Sequence, residues 1–124
     1  MEFSIPYNIP SQNTRDGWHW AAKHKDTKRC EGMIRMVYGS IPKATGKRFV
    51  FVTSYRVQRF RDDANFRGGA KGLLDALTRA GLLLDDDDHS AAISYEQFTL
   101  SMMPPDMNRL FGGRPCTVIR LEDA

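Results

Sequence analysis

The chain has 124 residues, of which 41% are hydrophobic, 10% aromatic and 27% charged, and its formal net charge is +3. This composition is typical of one globular domain spanning residues 1–124 and excludes global disorder. No apolar run is long enough to span a bilayer, and the N-terminus lacks the features of a signal peptide, so we expect a cytoplasmic protein with no membrane partner.

Charge is distributed unevenly along the chain. Between Thr14 and Arg61 there are twelve basic and three acidic residues, whereas eight acidic and three basic residues lie between Asp62 and Thr99. Such an arrangement suits a nuclease, because cations hold the phosphate backbone while carboxylates hold a metal ion. Ordinary solvated charge is the alternative explanation of the same asymmetry.

The N-terminal third combines a strand, a turn and a cluster of aromatic and basic residues. Residues 2–8 are predicted to form a short strand, and residues 10–17 a turn-rich connection. Trp18 and Trp20 follow, and rings beside cations suit nucleic acid, since rings stack on bases and cations take phosphates. Packing of the tryptophans in the core is the alternative. The basic residues predicted to bind DNA here are Lys23, Lys25, Lys28 and Arg29.

Hydrophobic periodicity and turn residues predict the remaining elements. In the strand predicted over residues 48–60, the alternation places Tyr55, Val57 and Phe60 on the buried side. The final strand is predicted to run antiparallel to the preceding one. The predicted elements are a helix over 27–38, the strand over 48–60, a loop or frayed turn over 65–69, a helix over 70–80, a strand over 90–100, a helical turn over 107–111 and a strand over 116–121.

These elements predict an α+β fold, in which a small, mixed and largely antiparallel sheet of about four strands packs against two helices. Cys30 and Cys116 are the only cysteines, and they do not form a CxxC pair. We therefore predict two reduced thiols that pack in the interior, and neither a disulfide nor a zinc site.

Two acidic clusters flank the helix predicted over 70–80. Asp62 and Asp63 precede it, and the run 85–88 follows it. Asp85 and Glu96 have the spacing of the first and last ligands of an EF-hand, but histidine and serine stand where a ligand and the turn glycine are required. Magnesium is the better candidate, because it takes one or two carboxylates with water and phosphate. The helix is about 16 Å long, so either its flanking loops fold back or a dimer joins the two clusters.

The spacing of these residues resembles the RusA family of Holliday junction resolvases. That family has an Asp-x-Asp-Asn or Asp-x-Ala-Asn element, a lysine, an Asp-Ala-Leu step, a glycine and an Asp-Asp pair. The corresponding residues of this chain are Asp62 to Asn65, Lys71, Asp75 to Leu77, Gly81, and Asp85 with Asp86.

The resemblance implies a homodimeric, magnesium-dependent endodeoxyribonuclease that nicks a four-way DNA junction symmetrically, in the cytoplasm of a bacterial or phage-infected cell. Manganese is the expected substitute metal. Asp62 and Asp86 match metal-binding catalytic aspartates and Lys71 matches a catalytic lysine. The supporting positions are Asn65, Asp75 and Asp85, and Arg67 joins the predicted DNA-binding residues.

The chain differs from the family prototype at Ala64, where a second metal-binding aspartate stands. Asp63 is the candidate to supply the missing oxygen, although on an extended strand a shift of one residue points the side chain to the other face. The alternative function is a branched-DNA-binding accessory protein without cleavage activity.

Overall fold

The computed structural model describes residues 1–124, and it contains four strands, five α-helices and one 3₁₀ turn. The elements in chain order are β1 (Glu2–Ile5), α1 (Gln12–Asp16), α2 (Trp20–Val37), β2 (Arg48–Arg56), α3 (Asp63–Gly69), α4 (Lys71–Arg79), β3 (Ala91–Thr99), the 3₁₀ turn (Leu100–Met102), α5 (Pro105–Phe111) and β4 (Cys116–Asp123). No helix is both long and apolar enough to cross a membrane.

The four strands form one mixed sheet in the order β1-β4-β2-β3. The pairs β1/β4 and β4/β2 are antiparallel, whereas β2/β3 is parallel. The predicted α+β class with a largely antiparallel sheet is therefore confirmed. The last strand does run opposite to β3, but it pairs with β1 and β2. The reason is that α3 and α4 form a crossover that makes β2 and β3 parallel neighbours, so the free edge of β2 is the one that β4 takes.

Alternate residues of β2 point into the core. Val50, Val52 and Ser54 are fully buried, and the two valines pack with side chains of α2 and α4. The buried side predicted from Tyr55 and Val57 is wrong, because the strict alternation of a strand puts Tyr55 on the opposite face. Val57 lies beyond the strand and is exposed.

Strand β2 ends at Arg56, four residues earlier than predicted. The Arg56 guanidinium donates to the carbonyls of Gln58 at 2.7 Å and Ile9 at 2.9 Å, and these bonds turn the chain away from the sheet. Five residues separate the end of the strand from Asp62, which is the N-cap of α3.

Helix α2 begins at Trp20, seven residues before the predicted start. The Nδ1 atom of His19 caps it by accepting from the Ala21 amide at 3.3 Å. The segment 27–38 alone contains the apolar periodicity, and the polar first two turns gave no such signal. Glu31 ties this helix to α4, since it accepts from Arg35 at 2.8 Å and from Arg79 at 2.8 Å. The hydrogen bond from Arg35, ahead of that from Arg79, lowers the pKa of Glu31.

The prediction of a loop or frayed turn over 65–69 is wrong, because these residues belong to α3. Glycines weaken a helix in isolation, but here the packing requires one. A Cβ atom at Gly69 would lie 1.7 Å from the carbonyl oxygen of Pro10, so only glycine permits this approach. Helix α4 then covers most of the predicted 70–80 helix, and Gly81 ends it at φ 82°, as its position predicts.

Two further predictions concern the cysteines and the C-terminal helical turn. Cys30 and Cys116 are both buried and form no disulfide, which confirms their packing role. The predicted helical turn is confirmed as part of α5, which ends at Gly112 in the left-handed conformation.

Candidate functional site

Lys71 lies between two aspartates on one side of α4. Its Nζ atom is 3.7 Å from Oδ1 of Asp75, one turn further along the helix, and 3.6 Å from Oδ2 of Asp86. Asp86 belongs to the acidic segment that follows α4, so this segment folds back along the helix within one chain. Two carboxylates can remain charged close together when a cation sits between them. The ion pairs themselves contribute little to stability, because all three side chains are partly exposed.

A cavity of about 390 Å³ opens beside this cluster. Residues of α1, α2, α3 and α4 line it, together with the acidic segment. Its charged lining residues are Arg15, Asp16, Lys23, Arg67, Lys71 and Asp86.

A second cavity, of about 360 Å³, adjoins the first, and Arg15 and Lys23 line both. It continues between α2 and α4. Its other ionisable lining residues are His24, Asp75, Arg79 and Asp85. We refer to the two cavities together as the Arg15 groove. The groove thus brings Lys71, Asp75, Asp85 and Asp86, predicted as site residues, to the same surface as Lys23 and Arg67, predicted as DNA-binding residues.

The cations of the groove differ in whether they are neutralised. Arg67 donates to Asp63 at 2.6 Å and Arg79 to Glu31 at 2.8 Å. Arg15 and Lys23 form no ion pair. Arg15 is also only 7% exposed, and its Nη1 atom has no hydrogen-bond partner. Two cations without an ion pair therefore stand at the junction of the two cavities. The buried carboxylate of Asp26 is close to Arg15, since a Cβ atom at Gly72 would contact both side chains.

Asp62 occupies a different position. Its Oδ1 atom caps α3 by accepting from the Ala64 amide at 2.9 Å. Asp62 lines a separate cavity of about 490 Å³, together with Arg56, Arg59 and Arg61, and Asp86 does not line that cavity. The structure therefore places the two predicted metal ligands, Asp62 and Asp86, in different cavities.

The remaining predicted site residues make local contacts. Asp63 pairs with Arg67, and Asn65 accepts from the Asn13 amide at 3.0 Å, which joins α3 to α1. Asp85 accepts from the Asp86 amide at 2.7 Å and so fixes the start of the acidic segment. Asn65 and Asp85 thus hold the loops that shape the groove.

The acidic side chains near the groove can be compared with the ligands that magnesium prefers. No group of three or more His, Cys, Asp or Glu side chains is arranged to hold a metal ion. Asp75 and Asp86 nevertheless share one cation, the Lys71 ammonium, and both are open to solvent in part. Magnesium usually binds one or two carboxylates and keeps several waters. The Asp75 and Asp86 pair fits that requirement, whereas Asp62 lines another cavity and its Oδ1 atom caps α3.

Part of the aromatic and basic segment that follows the N-terminal turn is exposed to solvent. Trp20 is 73% exposed, so its packing in the core is excluded, and Trp18 is only half-buried. Lys25 and Lys28 are exposed on α2 but do not line the groove. Arg29 is paired with Asp26 at 3.4 Å and lies over the ring of Tyr7.

Sequence reasoning missed two groups near the groove. Arg15 gave no signal beyond its charge, because it lies in a segment read as a turn. Tyr7 and Asp26 form a buried pair beneath the groove, in which the Tyr7 hydroxyl donates to Oδ2 of Asp26 at 2.6 Å. Burial, and then this hydrogen bond, raise the pKa of Tyr7, so the pair keeps its proton on tyrosine. The available signal was that Asp26 lies four residues before Cys30, and so on the same face of the helix as that buried residue.

Neither protein-family profiles nor curated protein sequences match this chain.

Proposed function

We propose that this protein is a magnesium-dependent, structure-specific endodeoxyribonuclease that resolves four-way DNA junctions by paired symmetric nicking. The observation that carries the proposal is the position of Lys71 between Asp75 and Asp86 in a groove whose other cations include Arg15 and Lys23. Carboxylates beside cations that form no ion pair suit a phosphodiester substrate, since the cations hold phosphate close to the acids.

In this proposal Asp86 and Asp75 hold magnesium. When bound, the metal supplies Lewis-acid activation of water and neutralises charge on the phosphate. Lys71 lies beside both carboxylates, and its ammonium stabilises the negative charge that develops on the phosphate oxygens. The amide contact between Asp85 and Asp86 orients the second of these acids.

The DNA surface extends from the groove along α2. Lys23 belongs to the groove, and Lys25 and Lys28 lie on the same helix, exposed to solvent. Trp20 presents a free ring at the start of this helix, which suits stacking on an unpaired base at a junction. A homodimer would supply two such sites, and that symmetry matches the near two-fold symmetry of a four-way junction.

The test is cleavage of a synthetic four-way junction in magnesium by the wild type and by paired variants. We expect Asp86→Asn to lose activity by about 100-fold or more, the usual scale for a group that stabilises the reacting centre. Asp88→Asn is the matched control: it makes the same substitution two residues away, at an exposed side chain that lines neither cavity. Equal activity of wild type and Asp86→Asn would refute the assignment.

Two further measurements refine the proposal. The variants Asp75→Asn and Asp62→Asn compare the two candidates for the second metal ligand. We expect Asp75→Asn to lose more cleavage activity, because Asp75 lies in the same groove as Asp86. Sedimentation at micromolar concentration tests the dimer, and a monomer alone would count against symmetric cleavage.

A second candidate function is recognition of branched DNA without cleavage. The observation that favours it is Ala64, which is exposed and supplies no metal ligand at the position where the family prototype has an aspartate. Tight, salt-dependent junction binding with no products in magnesium or manganese would support this function over the nuclease.

A further inference from the structure

Arg15 is a buried cation with an unused hydrogen-bond donor. It lies on α1, is 7% exposed, and its Nη1 atom has no partner. A buried guanidinium donor without an acceptor costs free energy, so such a group is expected to have a partner in the working protein. Gly72 packs beside it, since a Cβ atom there would lie 3.6 Å from Nη2 of Arg15 and 3.2 Å from Oδ2 of Asp26.

Lys23 is the second cation that faces the junction of the two cavities. Arg67, Arg79 and Lys71 also line the groove, but each is already paired with a carboxylate. Arg15 and Lys23 are the only two residues common to both cavities, and neither is paired. Asp16 and Asp86 line one cavity, and Asp75 and Asp85 line the other, so an anion is most favourably placed between the two shared cations.

We propose that Arg15 and Lys23 form a phosphate-binding subsite at the junction of the two cavities. Arginine suits a phosphate because its planar fork donates two parallel hydrogen bonds to two oxygens, and lysine adds a point charge. The ligand is a phosphate oxyanion, either free or within a DNA backbone. Assignment to the backbone rests on the proposed function, whereas the subsite itself does not. A backbone phosphate there would share a cavity with Lys71 and Asp86.

The test is a titration of the isotopically labelled full chain with inorganic phosphate, followed by NMR, with sodium chloride holding ionic strength constant. We expect saturable shifts in the amides of α1 and the first turns of α2. Lys23→Gln should weaken phosphate binding by about tenfold, the scale of one lost charge-assisted hydrogen bond. Lys47→Gln is the matched control, because it removes the same charge from an exposed lysine that lines neither cavity.

Arg15→Gln should abolish saturation, and Lys23→Gln keeps the test decisive if the Arg15 variant does not fold. Shifts that follow ionic strength alone would overturn the proposal, and so would equal phosphate affinity in the Lys23 and Lys47 variants.

A second titration, with short duplex DNA in the absence of divalent metal, distinguishes the sources of phosphate. Shifts of the same amides, lost in Lys23→Gln, assign the subsite to a backbone phosphate, whereas shifts with inorganic phosphate alone assign it to the free anion. The two proposals fail separately. A chain that binds phosphate here but cleaves no junction loses only the nuclease proposal, and a chain that cleaves a junction but shows no phosphate shifts loses only the subsite.

Discussion

Replacing Gly69 with alanine tests the glycine at which a Cβ atom would lie closest to another backbone segment. The new Cβ atom would meet the carbonyl oxygen of Pro10 at 1.7 Å and its carbonyl carbon at 2.8 Å. Both are backbone atoms, so no side-chain rotation relieves the overlap, and the segment before α1 must move away from α3 by roughly 1.5 Å to restore ordinary contact.

The expected loss of stability is the balance of three effects. Overpacking of this kind costs about 1–3 kcal/mol. Separation of the segments also weakens the hydrogen bond between the Asn13 amide and Asn65, which is worth about 1 kcal/mol. The better helix propensity of alanine returns about 0.5–1 kcal/mol. We expect a net decrease of about 2–3 kcal/mol in the free energy of unfolding, or about 10 °C in Tm for a chain of this size.

Urea unfolding followed by circular dichroism measures this change, and Gly32→Ala is the matched control. Gly32 lies inside α2, and a Cβ atom there would meet nothing within 4 Å. That variant should therefore gain about 0.5–1 kcal/mol. If Gly69→Ala were as stable as the wild type, the close approach of Pro10 to α3 would be refuted.

Three further predictions address the core, the pH dependence and the DNA surface. Arg48 is 1% exposed, and it donates to Asp123 at 2.8 Å and to the carbonyls of Leu82 and Pro42 at 3.0 and 2.7 Å. Arg48→Gln should therefore lower the free energy of unfolding, measured with urea, by about 3 kcal/mol or more. Asp123→Asn, at a partner whose side chain is 68% exposed, should cost less than about 1 kcal/mol, and equal losses would contradict this account. Burial raises the pKa of the Cys30 thiol from 9.0 to about 12, so the unfolded chain releases this proton first. The contribution of Cys30 to the free energy of unfolding is complete below pH 9 and is lost as the pH rises toward 12, at about 1.4 kcal/mol per pH unit. In urea unfolding between about pH 8 and 10.5, the free energy of unfolding of Cys30→Ala should therefore fall less steeply with pH than that of the wild type. Trp20→Ala should leave Tm unchanged, because the ring is 73% exposed, but should weaken junction binding by about tenfold or more in a gel-shift titration; unchanged binding would remove the ring from the interface.

The elements predicted well are those whose signal is local. Leu73, Leu74 and Leu77 recur at helical spacing, and all three are buried in α4. The β-branched and aromatic residues that begin at Arg48 likewise gave the position of β2, although not its end. Strand β2 ends where Arg56 reaches the carbonyl of Ile9, a residue distant in the chain, so no local pattern contains that information.

The sequence identified residues of the candidate site better than it predicted which of them lie together. Lys71 and Asp75 are one helical turn apart, so their contact follows from helix geometry alone. The sequence could not choose between a fold-back of the loops that flank the helix and assembly across a dimer. The acidic segment does fold back to Lys71, but this does not bring Asp86 into the cavity of Asp62. Asp62 was expected to join Asp86, but its carboxylate caps α3 and lines another cavity.

By itself, the sequence determined the α+β class, the amphipathic helix α4 and the identity of the acidic residues beside it, because periodicity and residue type are local properties. Only the tertiary structure decided which of those residues meet. The acidic segment returns to Lys71, α1 brings Arg15 into the groove, and Pro10 approaches α3 so closely that Gly69 is required. Each of these contacts joins segments that are separated along the chain, and the packing of one core fixes their positions.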